Sequence, residues 1–138
     1  MAAGCPYCGV DDCETKFHAC LDRDFSDPEY GVVHHLTVST YMLQHGRYTD
    51  ENVHAMAEFV LAYLDEPPNQ HARSEIRQRS DGSRRIIRRG EESRSLVLRC
   101  QDSIGDVDLS TPENYRTSVR RWAEAVARAA RGPSRVSD

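Results

Sequence analysis

No stretch of this sequence approaches the roughly 20 consecutive apolar residues of a membrane-spanning helix, so membrane-spanning functions are not expected. No secretory signal is expected either, because Met1-Ala2-Ala3-Gly4 runs into Cys5 without a hydrophobic stretch. The expected compartment is the cytoplasm, where thiols stay reduced. The cysteine count, five, is odd, which excludes a complete disulfide framework and gives weight to metal ligation or free thiols. Lysine is nearly absent, Lys16 standing alone beside 17 arginines. That bias carries little functional weight by itself. No internal repeat is found.

What is present is a chain of 138 residues, 38% hydrophobic and 29% charged, the length of one domain with one modest core. The net charge of -4 hides an asymmetry. Residues 1–66 hold 12 acidic and 3 basic side chains, whereas 71–99 hold 9 arginines against 4 acids. The sequence therefore reads as a single helical metal-binding domain over 1–132, with 71–99 as an arginine-rich insertion or hairpin and 133–138 as a flexible tail.

The periodicity is mostly helical. Asp12 is placed to cap a helix starting near Cys13, with Phe17, Ala19 or Cys20, Leu21 and Phe25 on its apolar face. Asp27-Pro28 ends it. A second helix is expected from about Tyr30 to His45, with Gly46 as its C-terminal cap. Thr49 or Asp50 opens a third, whose apolar stripe is Val53, Met56, Ala57, Val60, Leu61 and Leu64. Thr111-Pro112-Glu113 starts a last helix that buries Tyr115, Val119, Trp122, Val126 and Ala130. In the arginine-rich middle, Ile86-Ile87 and Ser95-Leu96-Val97-Leu98 suit a small β-hairpin, with disorder over 71–94 as the competing reading. The expected fold is mainly α, a compact helical bundle with an N-terminal CxxC metal knuckle.

The chemistry concentrates at the start. Cys5-Pro6-Tyr7-Cys8-Gly9 places two thiolates two residues apart, half of a tetrahedral zinc shell, with a glycine for the tight turn. Free thiols and a reversible redox pair are the alternatives. A short Asp27-Pro28 connection folds the first two helices antiparallel, which brings Cys13 opposite Leu43–His45 and beside the knuckle. The expected ligand set is Cys5, Cys8, Cys13 and His45, and the expected ion is Zn2+. His45 also suits a helix-end cap, where a cationic side chain is favourable. His34 lies about 16 Å from His45 along a continuous helix; it is an alternative fourth ligand or a polar group in a separate cleft. His54 falls within possible reach. Cys20 and Cys100 read as packing residues, and His18, His54 and His71 as ordinary hydrogen-bonding or solvent-facing groups.

Three blocks together resemble an uncharacterised bacterial family of unknown function: Cys5-Pro6-x-Cys8-Gly9, then Cys13-x3-Phe17-x3-Leu21, then Tyr30-Gly31-x2-His34-x-Leu36-Thr37-Val38-x2-Tyr41-x-Leu43-Gln44-His45. Val119-Arg120-x-Trp122-Ala123 is similar to that family's C-terminal helix. The resemblance spans roughly residues 4–68 and 104–130. It implies a mainly helical protein with a metal site at Cys5, Cys8, Cys13, His34 and His45, and no particular reaction. The basic stretch 71–99 departs from the pattern, being longer and more basic.

Three functions follow as expectations. The first is a small zinc-binding helical protein whose metal is chiefly structural and which binds an unknown protein or small ligand. The second is a zinc-dependent enzyme, with Cys13 outside the shell, a metal-activated water, and His34 or Tyr41 carrying protons. The third is a thiol-redox or nucleic-acid-binding module. Arg84, Arg85, Arg88 and Arg89 could meet phosphate, but no aromatics interleave them to stack on bases.

Overall fold

A computed structural model describes residues 5, 7–71, 74 and 102–131. Among these the regular structure is helical, with no extended strand. The hairpin expected within 71–99, and the arginines it would carry, lie outside the described residues, as does Cys100.

Helix α1 runs Cys13–Ser26. Asp12 precedes it but does not cap it: at φ 57 the residue is left-handed and its side chain makes no bond to the helix backbone. Its carboxylate instead accepts from the Thr15 hydroxyl at 2.8 Å. The buried face of α1 is Cys13, Cys20 and Asp24. Phe25, expected on that face, is 76% exposed, because it lies about 100° round the helix from Asp24.

Asp27 serves two helices. Its backbone N–H closes α1 on the Arg23 carbonyl, and its side chain accepts from the Glu29 N–H at 2.9 Å. That caps the single-turn helix α2, Pro28–Gly31, with proline in the first turn. The continuous helix expected from Tyr30 to His45 is broken at Val32-Val33, and α3 spans only His34–Gln44. Two β-branched residues after a glycine favour the break. Gly31 has a further reason to be glycine: a Cβ there would sit 2.5 Å from the Asp24 carbonyl oxygen. The close pass of α2 over the end of α1 depends on that missing methyl.

Helix α4 covers Asp50–Ala62. After a 3-10 turn at Ile104–Asp106, capped by Ser103, helix α5 runs Pro112–Arg131. Thr111 caps α5 as expected, its hydroxyl accepting from the Asn114 N–H at 3.0 Å. The buried face of α5 is Tyr115, Val119, Trp122, Ala123, Val126 and Ala127, with Arg116 and Arg120 at its margin reaching the Glu29 and Leu64 carbonyls.

Cross-contacts fix the directions. Cys13 meets His45, and Asp24 meets His34, so α1 and α3 are antiparallel. The His35 ring reaches the Tyr63 carbonyl just past α4, which sets α4 against α3. Tyr115 touches Asp24 and Thr37 while Trp122 touches Gln44, so α5 runs parallel to α3. The result is a four-helix arrangement with α5 packed mainly on α4 and α3. Ala57, Ala123 and Ala127, all fully buried, let α4 and α5 approach closely. Trp122, Tyr115, Leu36, Val60, Val119 and Val126 fill the centre, and large apolar side chains buried this completely contribute about 1.5–3 kcal/mol each.

Candidate metal centre

The N-terminal knuckle is a tight loop held by its own backbone. The Gly9 N–H donates to the Cys5 carbonyl at 2.7 Å, and the Cys5 N–H to the Val10 carbonyl at 3.3 Å. Gly9 sits at φ 77, where side chains are strained. The Tyr7 N–H points at the Cys5 sulfur, 3.5 Å away, the kind of donor that supports a thiolate. Val10 anchors the loop on the 3-10 turn, near enough that a Cβ on Gly105 would lie 3.1 Å from its Cγ2.

Two helix ends complete the cluster. Cys13 is the first residue of α1. His45 caps α3 and is placed there by a Schellman turn: the Gly46 N–H bonds the Leu43 carbonyl at 3.2 Å and the Arg47 N–H the Met42 carbonyl at 3.0 Å. Gly46, at φ 64, supplies the left-handed residue this turn requires.

His45 Nδ1 lies 2.7 Å from the Tyr41 carbonyl oxygen. A carbonyl only accepts, so Nδ1 carries the proton and Nε2 keeps a lone pair. That lone pair faces the Cys13 sulfur at 3.4 Å. Orienting a ligating imidazole through a bond from its other nitrogen is the usual support of a metal-bound histidine. One ligand atom from each of Cys5, Cys8, Cys13 and His45 lies within 4.8 Å of all the others. A tetrahedral ion with metal–sulfur bonds of about 2.3 Å sets sulfur–sulfur separations near 3.8 Å. The four side chains are close enough to hold one metal ion.

The surroundings are aromatic and partly covered. Phe17 stacks on Tyr41 at 3.9 Å, and Tyr41 on His45 at 4.0 Å. The Tyr41 hydroxyl lies 3.6 Å from the Cys13 sulfur. Burial, with Cys13 beside it, pushes the Tyr41 phenol well above its ordinary range, which favours its protonated form. The thiols separate in acidity. Burial and the neighbouring Cys13 and Cys5 push Cys8 up to about 12. Burial also opposes ionisation of Cys5, but the Tyr7 N–H and the adjacent thiols outweigh it and leave Cys5 below the ordinary 9.0. A crowded thiol cluster resists carrying several negative charges at once unless a cation shares them.

The remaining sequence candidates lie elsewhere. His34, at the other end of α3, bonds through Nδ1 to an Asp24 carboxylate oxygen at 2.9 Å, and the second oxygen accepts from the Tyr115 hydroxyl at 2.7 Å. Tyr115 also meets the Thr37 hydroxyl at 3.3 Å. His54 is 70% exposed, with Glu58 at 3.8 Å, and His18 is exposed near Glu14. Cys20 is fully buried in the core, where burial and then Asp24 push its thiol up to about 11. Asp24 and Tyr115 escape a reading of ligand spacing. The available signal was a charged residue at the position where the α1 stripe of Cys13, Phe17 and Cys20 next turns inward. Gln44 bridges α3 to α5 by accepting from the Trp122 indole at 2.9 Å and donating to the Asp102 carbonyl at 3.0 Å.

No described helix is long and apolar enough to cross a membrane. Comparison with curated proteins and with solved structures returns no match. Residues 3–131, nearly the whole sequence, match the family of unknown function DUF5946, and the chain belongs to that family.

Proposed function

We propose that this protein is a small zinc-binding helical module in which the metal is structural, and that its biological role is to bind a protein or small ligand. The observation that carries the reading is the orientation of His45. Its Nδ1 proton is committed to the Tyr41 carbonyl at 2.7 Å, and its other ring nitrogen, Nε2, stands 3.4 Å from the Cys13 sulfur beside the CxxC loop. Three sulfurs and one imidazole nitrogen suit zinc better than oxygen-seeking cations. Cys5 and Cys8 bring the N-terminal loop, Cys13 brings α1 and His45 brings α3, so four protein donors close the shell and join three separate segments. A zinc ion bound there supplies the cross-link that a small helical core lacks. Tyr41 supports the set by donating toward the Cys13 sulfur, and Phe17 shields its other face.

Metal analysis of the purified full chain tests this. One zinc per chain is expected, and a cobalt-substituted sample should show the sulfur-to-cobalt charge-transfer bands and strong visible bands of a tetrahedral sulfur-rich site. Absence of stoichiometric metal after expression with added zinc, together with no uptake by reduced protein, would refute the reading. The enzyme alternative needs an open coordination position, with Cys13 outside the shell; retention of zinc with an exchangeable water in a Cys13→Ser variant would favour it.

A further inference from the structure

We infer that the metal centre is a redox-released clasp, in which oxidants of the peroxide class join Cys5 to Cys8 and free the N-terminal loop from the helices. This rests on the zinc reading above and concerns how the same site is controlled. The four ligands are unequally protected. Cys13 is 9% exposed and His45 7%, and the Cys13 sulfur is flanked by the His45 ring at 3.4 Å and the Tyr41 hydroxyl at 3.6 Å. Cys5 and Cys8 are only partly buried. An oxidant arriving from solvent therefore meets the loop cysteines first.

Geometry favours the same pair. Their sulfurs already lie within 4.8 Å, and closing them to the roughly 2.05 Å of a disulfide needs only a local adjustment of a four-residue loop. Joining Cys5 or Cys8 to Cys13 would instead pull on the first turn of α1, which packs against the end of α3. The fully buried Cys20 has no comparable approach.

The chemistry balances with hydrogen peroxide as the oxidant. The Cys5 sulfur attacks one peroxide oxygen, the O–O bond breaks, and a sulfenic acid forms as hydroxide leaves. The Cys8 sulfur then attacks the Cys5 sulfur, forming the S–S bond and expelling a second hydroxide. The two sulfurs together lose two electrons to peroxide, and two solvent protons turn the hydroxides into water. Cys13 and His45 remain as two ligands on two helices, too few to keep the ion. With both loop thiolates withdrawn, the tie between the N-terminus and the end of α3 is gone.

The test treats zinc-loaded full chain with hydrogen peroxide while a chromogenic chelator reports free zinc, followed by peptide mapping. Release of one zinc per chain, loss of two hydrogen atoms of mass, and a Cys5–Cys8 cross-linked peptide are expected. Dithiothreitol plus zinc should restore metal content. A Cys20→Ala, Cys100→Ser double variant should release zinc at the same rate, within about twofold. The proposal is overturned if zinc stays bound under excess peroxide, if the disulfide involves Cys13, Cys20 or Cys100, or if release follows only irreversible over-oxidation. Protein that takes up no zinc before oxidant is added defeats the zinc reading itself, a different outcome from loaded protein that resists oxidation.

Discussion

Replacing His45 with glutamine should uncouple metal binding from fold stability. Cys5, Cys8 and Cys13 are close in sequence and can gather round an ion even in an unfolded chain. On the zinc reading His45 is the distant ligand, 32 residues beyond Cys13. Treated as a cross-link over a loop of that length, the Cys13–His45 tie removes chain entropy from the unfolded state worth about 3.7 kcal/mol at 25 °C. For a chain of this size that corresponds to a rise in melting temperature of roughly 10–15 °C. The assay is thermal and urea unfolding of wild type and His45→Gln, each with zinc and with a chelator. Wild type should gain the full increment from zinc, whereas the variant should still bind zinc through its three thiols and gain little. A wild-type difference below about 2 °C, or a variant that keeps the whole zinc-dependent shift, would refute the cross-link argument.

Two glycines should each resist alanine for different reasons. Gly46→Ala puts a side chain at φ 64 and should cost about 1–2 kcal/mol, read as a lower urea midpoint, with weaker zinc binding as His45 shifts. Gly31→Ala drives a methyl toward the Asp24 backbone, 2.5 Å away, and should cost about 1–3 kcal/mol through forced separation of α1 and α2. Gln44→Leu leaves the Trp122 indole N–H and the Asp102 carbonyl without their partner; about 1–3 kcal/mol per orphaned group is expected. Because Trp122 is the sole tryptophan, its fluorescence reports that change directly. Stability should also fall in alkali. Burial, then Asp24, pushes the Cys20 thiol from 9.0 to about 11, and burial pushes the Tyr48 phenol from 10.0 to about 12. Between those limits the folded chain holds protons that the unfolded chain has released, so unfolding is favoured as pH rises from 9 toward 12. Urea midpoints across that range should decline, and a Cys20→Ala variant should lose less of its own stability over the lower part of it.

Much of the helical layout was readable from local chemistry. The α4 stripe, the Thr111-Pro112 start of α5 and the Asp27-Pro28 break each follow from propensity, capping and proline geometry within a few residues. The same local rules failed where tertiary contact decided. Asp12 looks like a cap, but the turn leaving the CxxC loop holds it left-handed. The Tyr30–His45 pattern looks continuous, yet α2 must pass over the Asp24 carbonyl, and α3 restarts after Val33 so that Tyr30 and Val33 can both be buried. Phe25 looks apolar and inward, while Asp24 takes the inward place because His34 and Tyr115 bond its carboxylate.

The candidate metal site divides in the same way. Cys5 and Cys8 are separated by two residues, a spacing that reads as half of a metal site, and Cys13 joins them in the sequence reading only through the expected antiparallel pairing of the first two helices. Which histidine joins them depends on how α1 lies against α3. An antiparallel pairing brings the end of α3 to the start of α1, so His45 arrives at Cys13 while His34, eleven residues earlier, is carried to Asp24 at the opposite end. Local sequence could name the residue types that ligate a metal and the turns that present them. The short Asp27-Pro28 connection already pointed to His45, but only the packed helices gave His34 its own partner in Asp24 and Tyr115, because closeness between distant residues is a property of the whole bundle.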